Sequence, residues 1–328
     1  LYRGWLEQVT MNAEKAVQWP KIQIGVSSCL LGNRVRHNGE HKANDWLLAQ
    51  LGPFVSWVAV CPEVEMGLGI PRESMRLVGN STNPRLVTVR SKIDQTEKAS
   101  QSIERILKND FELDGFIFKK DSPTCGLERV KVYGSSGIPA KNGVGLFARS
   151  VREKFPKIPM IEEGRLTDPR QREAFLIQIY IYSVFTRLRK SISVLQQFHQ
   201  RHKLQLMAYD PGKYQKLGQI AANSQRDEIK DVFSNYEGLL FEFMAKPLTA
   251  KKYVNVFQHM LGYFKQNLES KEKSHILELI DSYKNARVPL ISVSTLFEYL
   301  VKKYSVHYLE NQSILNPYPR EILTGGRI

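Results

Sequence analysis

The 328-residue chain contains no apolar run approaching the roughly eighteen residues of a membrane-spanning helix, so no membrane partner is expected. Its start, LYRGWLEQVT, lacks the compact apolar centre of a secretory signal and precedes Met11. Residues 1–20 are read as a leader or flexible segment outside the fold. Cysteine is scarce, with Cys29, Cys61 and Cys125 only. An odd number in so long a chain makes a poor disulfide framework, and a reducing, cytoplasmic setting is expected. The spacings of 32 and 64 residues exclude the close C-x-x-C pairs of most structural zinc sites and the tight cysteine trio of radical enzymes. Acidic residues are also short, 33 against 47 Lys and Arg, for a net charge of +14. The excess is shared, with +6 over residues 1–165 and +8 over 166–328. Such a balance attracts polyanions, nucleic acid among them; a merely soluble basic surface is the plain alternative.

The first half alternates strand-like and helix-like segments. KIQIGVSSC (21–29), FVSWVAVC (54–61), RLVTV (85–89), GFIFKK (115–120), VKVYG (130–134) and IPMIEEG (158–164) read as strands. WLLAQL (46–51), a segment from Asp94 through IERILKN, and GLFARSVREKF (145–155) read as helices, with Asp94 and Glu97 spaced as a capping box. This order predicts a Rossmann-like parallel sheet, α/β, over residues 21–163. From Asp168, an N-cap followed by Pro169, the apolar spacing turns helical and predicts an all-α domain over 168–328. Tyr180, Tyr182 and Phe185 follow the helical period and are assigned to its core, and the tail NPYPREILTGGRI to an extended surface segment.

Each cysteine falls where a predicted strand ends in a turn, in SSCLLGN, VAVCPEVEMGLGIPRE and KKDSPTCGLERV. Ligands of parallel sheets bind beyond the carboxyl ends of the strands, so the three can meet on one rim. Three soft thiolates are compatible with an iron–sulfur cluster that keeps one iron free of protein. A zinc site and three unlinked core thiols remain the rivals at this point. GVGLFA (143–148) fits G-x-G-x-x-A but comes too late to open the first strand–helix unit; no nicotinamide or flavin cofactor is expected.

SSCLLG, CPEVEMGLGIPRE and KKDSPTCG, followed by KVYG and GVGLFA, resemble the signature of the thiouracil desulfidase family over residues 21–163. The second half resembles the helical domain often fused to it in proteins that desulfurate 4-thiouridine in tRNA. The resemblance implies a [4Fe–4S] cluster on Cys29, Cys61 and Cys125, whose fourth iron takes the thiocarbonyl sulfur. It implies acid–base roles for Glu63 and Ser122, with Glu65 and Asp121 as substitutes. Ser27 and Ser28 would face the cluster, and Arg36, His37 and Asn38 replace a family Arg-Tyr-Asp stretch. Arg36, Asn38, Ser28, Lys119, Lys120 and Asp121 are candidate substrate contacts. Basic groups expected to hold tRNA are Arg187, Arg189 and Lys190, then Lys251 and Lys252, with Arg201, Lys203, Lys302 and Lys303 in further clusters. A desulfidase of free thiouracil-type bases and a non-enzymatic RNA-binding protein with a structural metal are the alternatives.

Overall fold

The computed structural model describes residues 19–135, 137–222, 228–246 and 248–324. Most of the expected leader therefore lies outside the described residues. The chain forms two compact units, one running to Gly164 and taking in the chain from Tyr318, the other Arg165–Pro317.

Among the described residues the first unit holds eight strands: β1 (Ile22–Ser27), β2 (Val55–Val60), β3 (Met75–Val78), β4 (Arg85–Thr88), β5 (Gly115–Phe118), β6 (Val130–Tyr133), β7 (Pro139–Gly143) and β8 (Met160–Glu162). Its helices are α1 (Pro62–Glu65), α2 (Thr96–Lys108) and α3 (Leu146–Lys154). One sheet is parallel throughout, in the order β2-β1-β5-β8. β5 is buried at all four positions and β1 at five of six, the near-continuous apolar pattern of strands covered on both faces. Gly25 is required here: a Cβ would stand 2.2 Å from Cδ2 of Phe116 on the neighbouring strand. Phe116 stacks on Phe118 at 4.1 Å and meets Phe147 of α3 edge-on, which seats α3 on the sheet.

The remaining strands correct the single-sheet expectation. RLVTV and VKVYG belong to a second, mixed sheet, β4-β3-β6-β7, closed over Met66, Leu77, Leu86, Ala99, Val130 and Val132. The capping box at α2 is also not made. Asp94 accepts the Thr96 N–H, while Glu97 binds Gln101 instead of turning back.

Among the described residues the second unit is all helical: α4 (Pro169–Thr186), α5 (Ile192–Tyr209), α6 (Pro211–Ala222), α7 (Ile229–Met244), α8 (Ala250–Leu261), α9 (Ser270–Lys284), α10 (Leu290–Tyr304) and α11 (His307–Glu310). Asp168 caps α4 by accepting the Arg170 N–H at 2.9 Å. Tyr180 and Phe185 are buried and Tyr182 is half-buried against Phe241. Up to Thr324 the tail is not an extended surface strand, and its last four residues lie outside the described residues. Tyr318 and Ile322 are buried, and the turn at Arg320–Leu323 packs on the one at Trp46–Leu51.

Candidate active site

Three neighbouring strands of the parallel sheet each deliver one cysteine at the same end. Ser27 of β1 is level with Val60 of β2, and Val26 with Ile117 of β5. Cys29 follows β1 in a short 3-10 turn, Cys61 directly follows β2, and Cys125 sits in the turn after β5. All three line one pocket of about 460 Å³, together with Ser27, Ser28, Arg36, Glu63, Lys119, Lys120, Asp121 and Ser122.

The Cys125 turn is held from behind by α3. The N–H groups of Leu146 and Phe147 donate to the carbonyls of Pro123 and Thr124, and that of Gly145 to Gly126. A Cβ on Gly145 would meet the Thr124 carbonyl oxygen at 2.5 Å. The GVGLFA glycine thus lets a helix start press against a cysteine turn, where its unpaired N–H groups find carbonyl partners.

Each thiol is buried or half-buried, and burial pushes all three up. Cys29 is raised to about 11, first by burial and then by the nearby Cys61. Donors face the sulfurs: Val64 and Glu63 N–H groups at Cys61, and the Ser27 hydroxyl at Cys125. Such donors favour the thiolate once a metal displaces the proton.

Glu63 is fixed at both carboxylate oxygens. Arg72 donates to Oε2 from Nη2 at 2.6 Å and from Nε at 2.9 Å, and Thr124 donates to Oε1 at 2.9 Å. Arg72 also donates to the Val35 and Gly69 carbonyls, and its side chain is only 4% exposed. Ser122 Oγ accepts the Cys125 and Thr124 N–H groups and lies 3.0 Å from Thr124 Oγ1. Ser122, Thr124, Glu63 and Arg72 form one connected line. Sequence reasoning missed Thr124 and Arg72, although both lie inside the quoted SPTCG and GIPRE stretches.

The pocket rim is cationic. Glu163 takes the Lys119 ammonium and the Lys120 N–H, and Lys120 Nζ lies 3.9 Å from Asp121. Among the described residues Arg36 and Lys42 pair with no carboxylate. Two expected residues are not brought to this pocket. Asn38 closes an exposed turn by donating to Glu40, and Glu65 is exposed and faces a separate groove beside Arg105. Ser28 lines the pocket with its hydroxyl accepting from Asn33.

The donor set fits a polynuclear centre. A single zinc ion draws its ligands to about 2.3 Å, and among the described residues no three His, Cys, Asp or Glu are grouped for one ion. Three soft thiols spread around one polar pocket suit an iron–sulfur core.

Of the basic groups on the second unit, Arg187 donates to the Ser183 hydroxyl and carbonyl. Lys190 lies 4.4 Å over the Phe233 ring, and Lys252 donates to the Tyr209 carbonyl. Arg189 and Lys251 are exposed. Among the described residues no helix is long and apolar enough to cross a membrane.

Residues 24–163 match the family model described as 2-thiouracil desulfurase, and residues 203–319 match DUF1722, a protein family of unknown function. The uncharacterized protein YbgA of Escherichia coli K12 is 27% identical over 154 residues, 46% of this chain and 91% of that protein. The uncharacterized protein YbbK of Bacillus subtilis 168 is 32% identical over 110 residues, 31% of this chain and 72% of that protein. A solved structure of the [4Fe-4S]-dependent thiouracil desulfidase TudS is 29% identical, covering 45% of this chain and 94% of that one, with a TM-score of 0.37. Through the unit that carries the three cysteines, the chain belongs to the 2-thiouracil desulfurase family and is a desulfidase of thiouracil-like substrates, with a DUF1722 domain following it.

Proposed function

We propose that the chain removes sulfur from 4-thiouridine in tRNA, turning thiocarbonyl and water into carbonyl and hydrogen sulfide without net electron transfer. Residues 21–163 act as the desulfidase domain and 168–328 as the RNA-binding domain. One observation carries the reading: three thiols from three adjacent strand ends share a pocket whose rim bears unpaired cations. Cys29, Cys61 and Cys125 hold a [4Fe–4S] cluster, and such ligation suits a reducing, cytoplasmic setting. When bound, the cluster supplies a Lewis-acidic iron without a protein thiolate, a soft partner for a thiocarbonyl sulfur.

The chain's own residues orient the substrate and move protons. Arg72 occupies Glu63 Oε2, so proton exchange falls to Oε1. There Glu63 takes a proton from the attacking water and later returns it. Ser122 spends its lone pairs on two N–H groups, leaving its hydrogen for Thr124 or for the base. A base within tRNA must be exposed before it reaches such a pocket, a rearrangement of a few kcal/mol that phosphate contacts offset. Arg36, Lys42 and Lys120 at the rim favour a substrate bearing phosphates over a free base.

The test is anaerobic purification followed by incubation with thiolated tRNA and mass analysis of its nucleosides. Expected are about four irons per chain, conversion of 4-thiouridine to uridine, and sulfide release. Cys125→Ala is expected to lose iron and turnover together, and full activity in that variant would remove the ligand assignment. Equal activity on free nucleoside and tRNA, unaffected by salt, would replace the RNA substrate with a free base.

A further inference from the structure

The helical unit carries aromatic residues of two kinds. Phe257, Phe264 and Phe297 are fully buried core. Tyr263 and Tyr308 stack on one another at 5.2 Å and 13°, yet remain 38% and 42% exposed. Lys203 of α5 places its ammonium 5.4 Å from the Tyr308 ring, within cation–π reach. His259 meets Tyr263 edge-on at 5.6 Å, and Tyr214, which feels the Lys203 charge, stacks on His199 at 4.8 Å. Among the described residues no carboxylate pairs with Lys203, and Glu310 on α11 is taken by His307. The Tyr308 hydroxyl holds Lys203 above its ordinary value, so it stays charged. A second lysine, Lys303, lies 4.8 Å from the Tyr304 ring and 5.8 Å from that of Tyr299, which is 56% exposed.

We propose that this tyrosine–lysine surface around Lys203 binds unpaired RNA segments, stacking their bases on Tyr263 and Tyr308. Exposed rings beside uncompensated ammonium groups are what a single-stranded polyanion with flat bases requires. A protein partner is the weaker fit, because lysine is depleted in protein interfaces. The net charge of +8 over residues 166–328 supplies the same complementarity over a longer range. The inference rests on the RNA reading above and names the surface that serves it. It also moves the grip away from Lys252, whose ammonium donates to the Tyr209 carbonyl.

The test uses the full chain and labelled unmodified tRNA, with affinity followed by fluorescence anisotropy across a salt series. Tyr263→Ala combined with Tyr308→Ala is expected to weaken binding about ten-fold or more. The paired Tyr→Phe variant, which keeps the rings, is expected to stay close to the parent. Lys203→Gln is expected to weaken binding and to lower the salt slope by about one. Sulfide release from free 4-thiouridine is expected unchanged in all of them. Parent-like tRNA affinity in both the double alanine and Lys203→Gln variants overturns the proposal. A change of mass in light scattering with tRNA affinity unchanged overturns it too, assigning the surface to a second copy of the chain. A parent protein that releases sulfide from the free nucleoside but does not bind tRNA overturns the RNA reading, and this surface with it.

Discussion

Thr124 donates its hydroxyl hydrogen to Glu63, Oγ1 to Oε1 at 2.9 Å, tying the turn of Cys125 to that of Cys61. The bond sets the direction of the carboxylate oxygen that Arg72 leaves open. Thr124→Val removes it at nearly constant volume and is expected to lower sulfide release about 10- to 100-fold, at unchanged iron content. Thr124→Ser is expected to restore most of the rate. Iron analysis beside kinetics separates a misdirected carboxylate from a lost cluster.

Arg72 acts on stability as well as orientation. Its side chain is 4% exposed and that of Glu63 15%, so removing the cation leaves a largely buried carboxylate uncompensated. Arg72→Leu is expected to destabilise the first unit by about 3–5 kcal/mol, read as a lower urea midpoint. Arg72→Lys recovers only part, because an ammonium cannot reproduce the donors that reach Glu63, Val35 and Gly69 together.

Gly145→Ala tests the support behind Cys125. The added methyl collides with the backbone of the Thr124 turn, where no side chain can swing aside. A loss of about 1–3 kcal/mol is expected, together with faster iron loss to a chelator than in the parent.

The helical unit carries an acid sensitivity of its own. His202 is buried, with Nδ1 2.8 Å from Ser313 Oγ, and burial lowers it from 6.5 to about 3. As pH falls below 6.5 the unfolded chain takes up the proton first, so stability is full above that value and declines toward about 3. By pH 5 the decline amounts to about 2 kcal/mol from this group. Pulse proteolysis in urea, reading fragments of the helical unit at pH 7 and pH 5, measures it. His202→Gln is expected to flatten the dependence.

The site was legible in the sequence where it depends on strand ends. Cys29, Cys61 and Cys125 each follow an apolar run of a parallel strand, and adjacency in the sheet brings them to one pocket. The second sheet was not legible. β7 reads PAKNG, mostly polar and exposed, and shows no alternation; it is held by pairing with β6. Arg72 and Thr124 gave no signal because their roles arise from partners 9 and 61 residues away. Lys252 read as a solvent-facing cation, whereas its ammonium donates to the Tyr209 carbonyl.

The three cysteines come from the turns after β1, β2 and β5, and that last turn is braced by a helix beginning at Leu146. No short peptide of this chain can therefore gather the three thiols, in contrast to zinc fingers whose ion nucleates their folding. Long-range pairing must come first, and such pairing is slow to form. Under the cluster ligation proposed above, delivery is expected to be a late event, performed on an already folded receptacle.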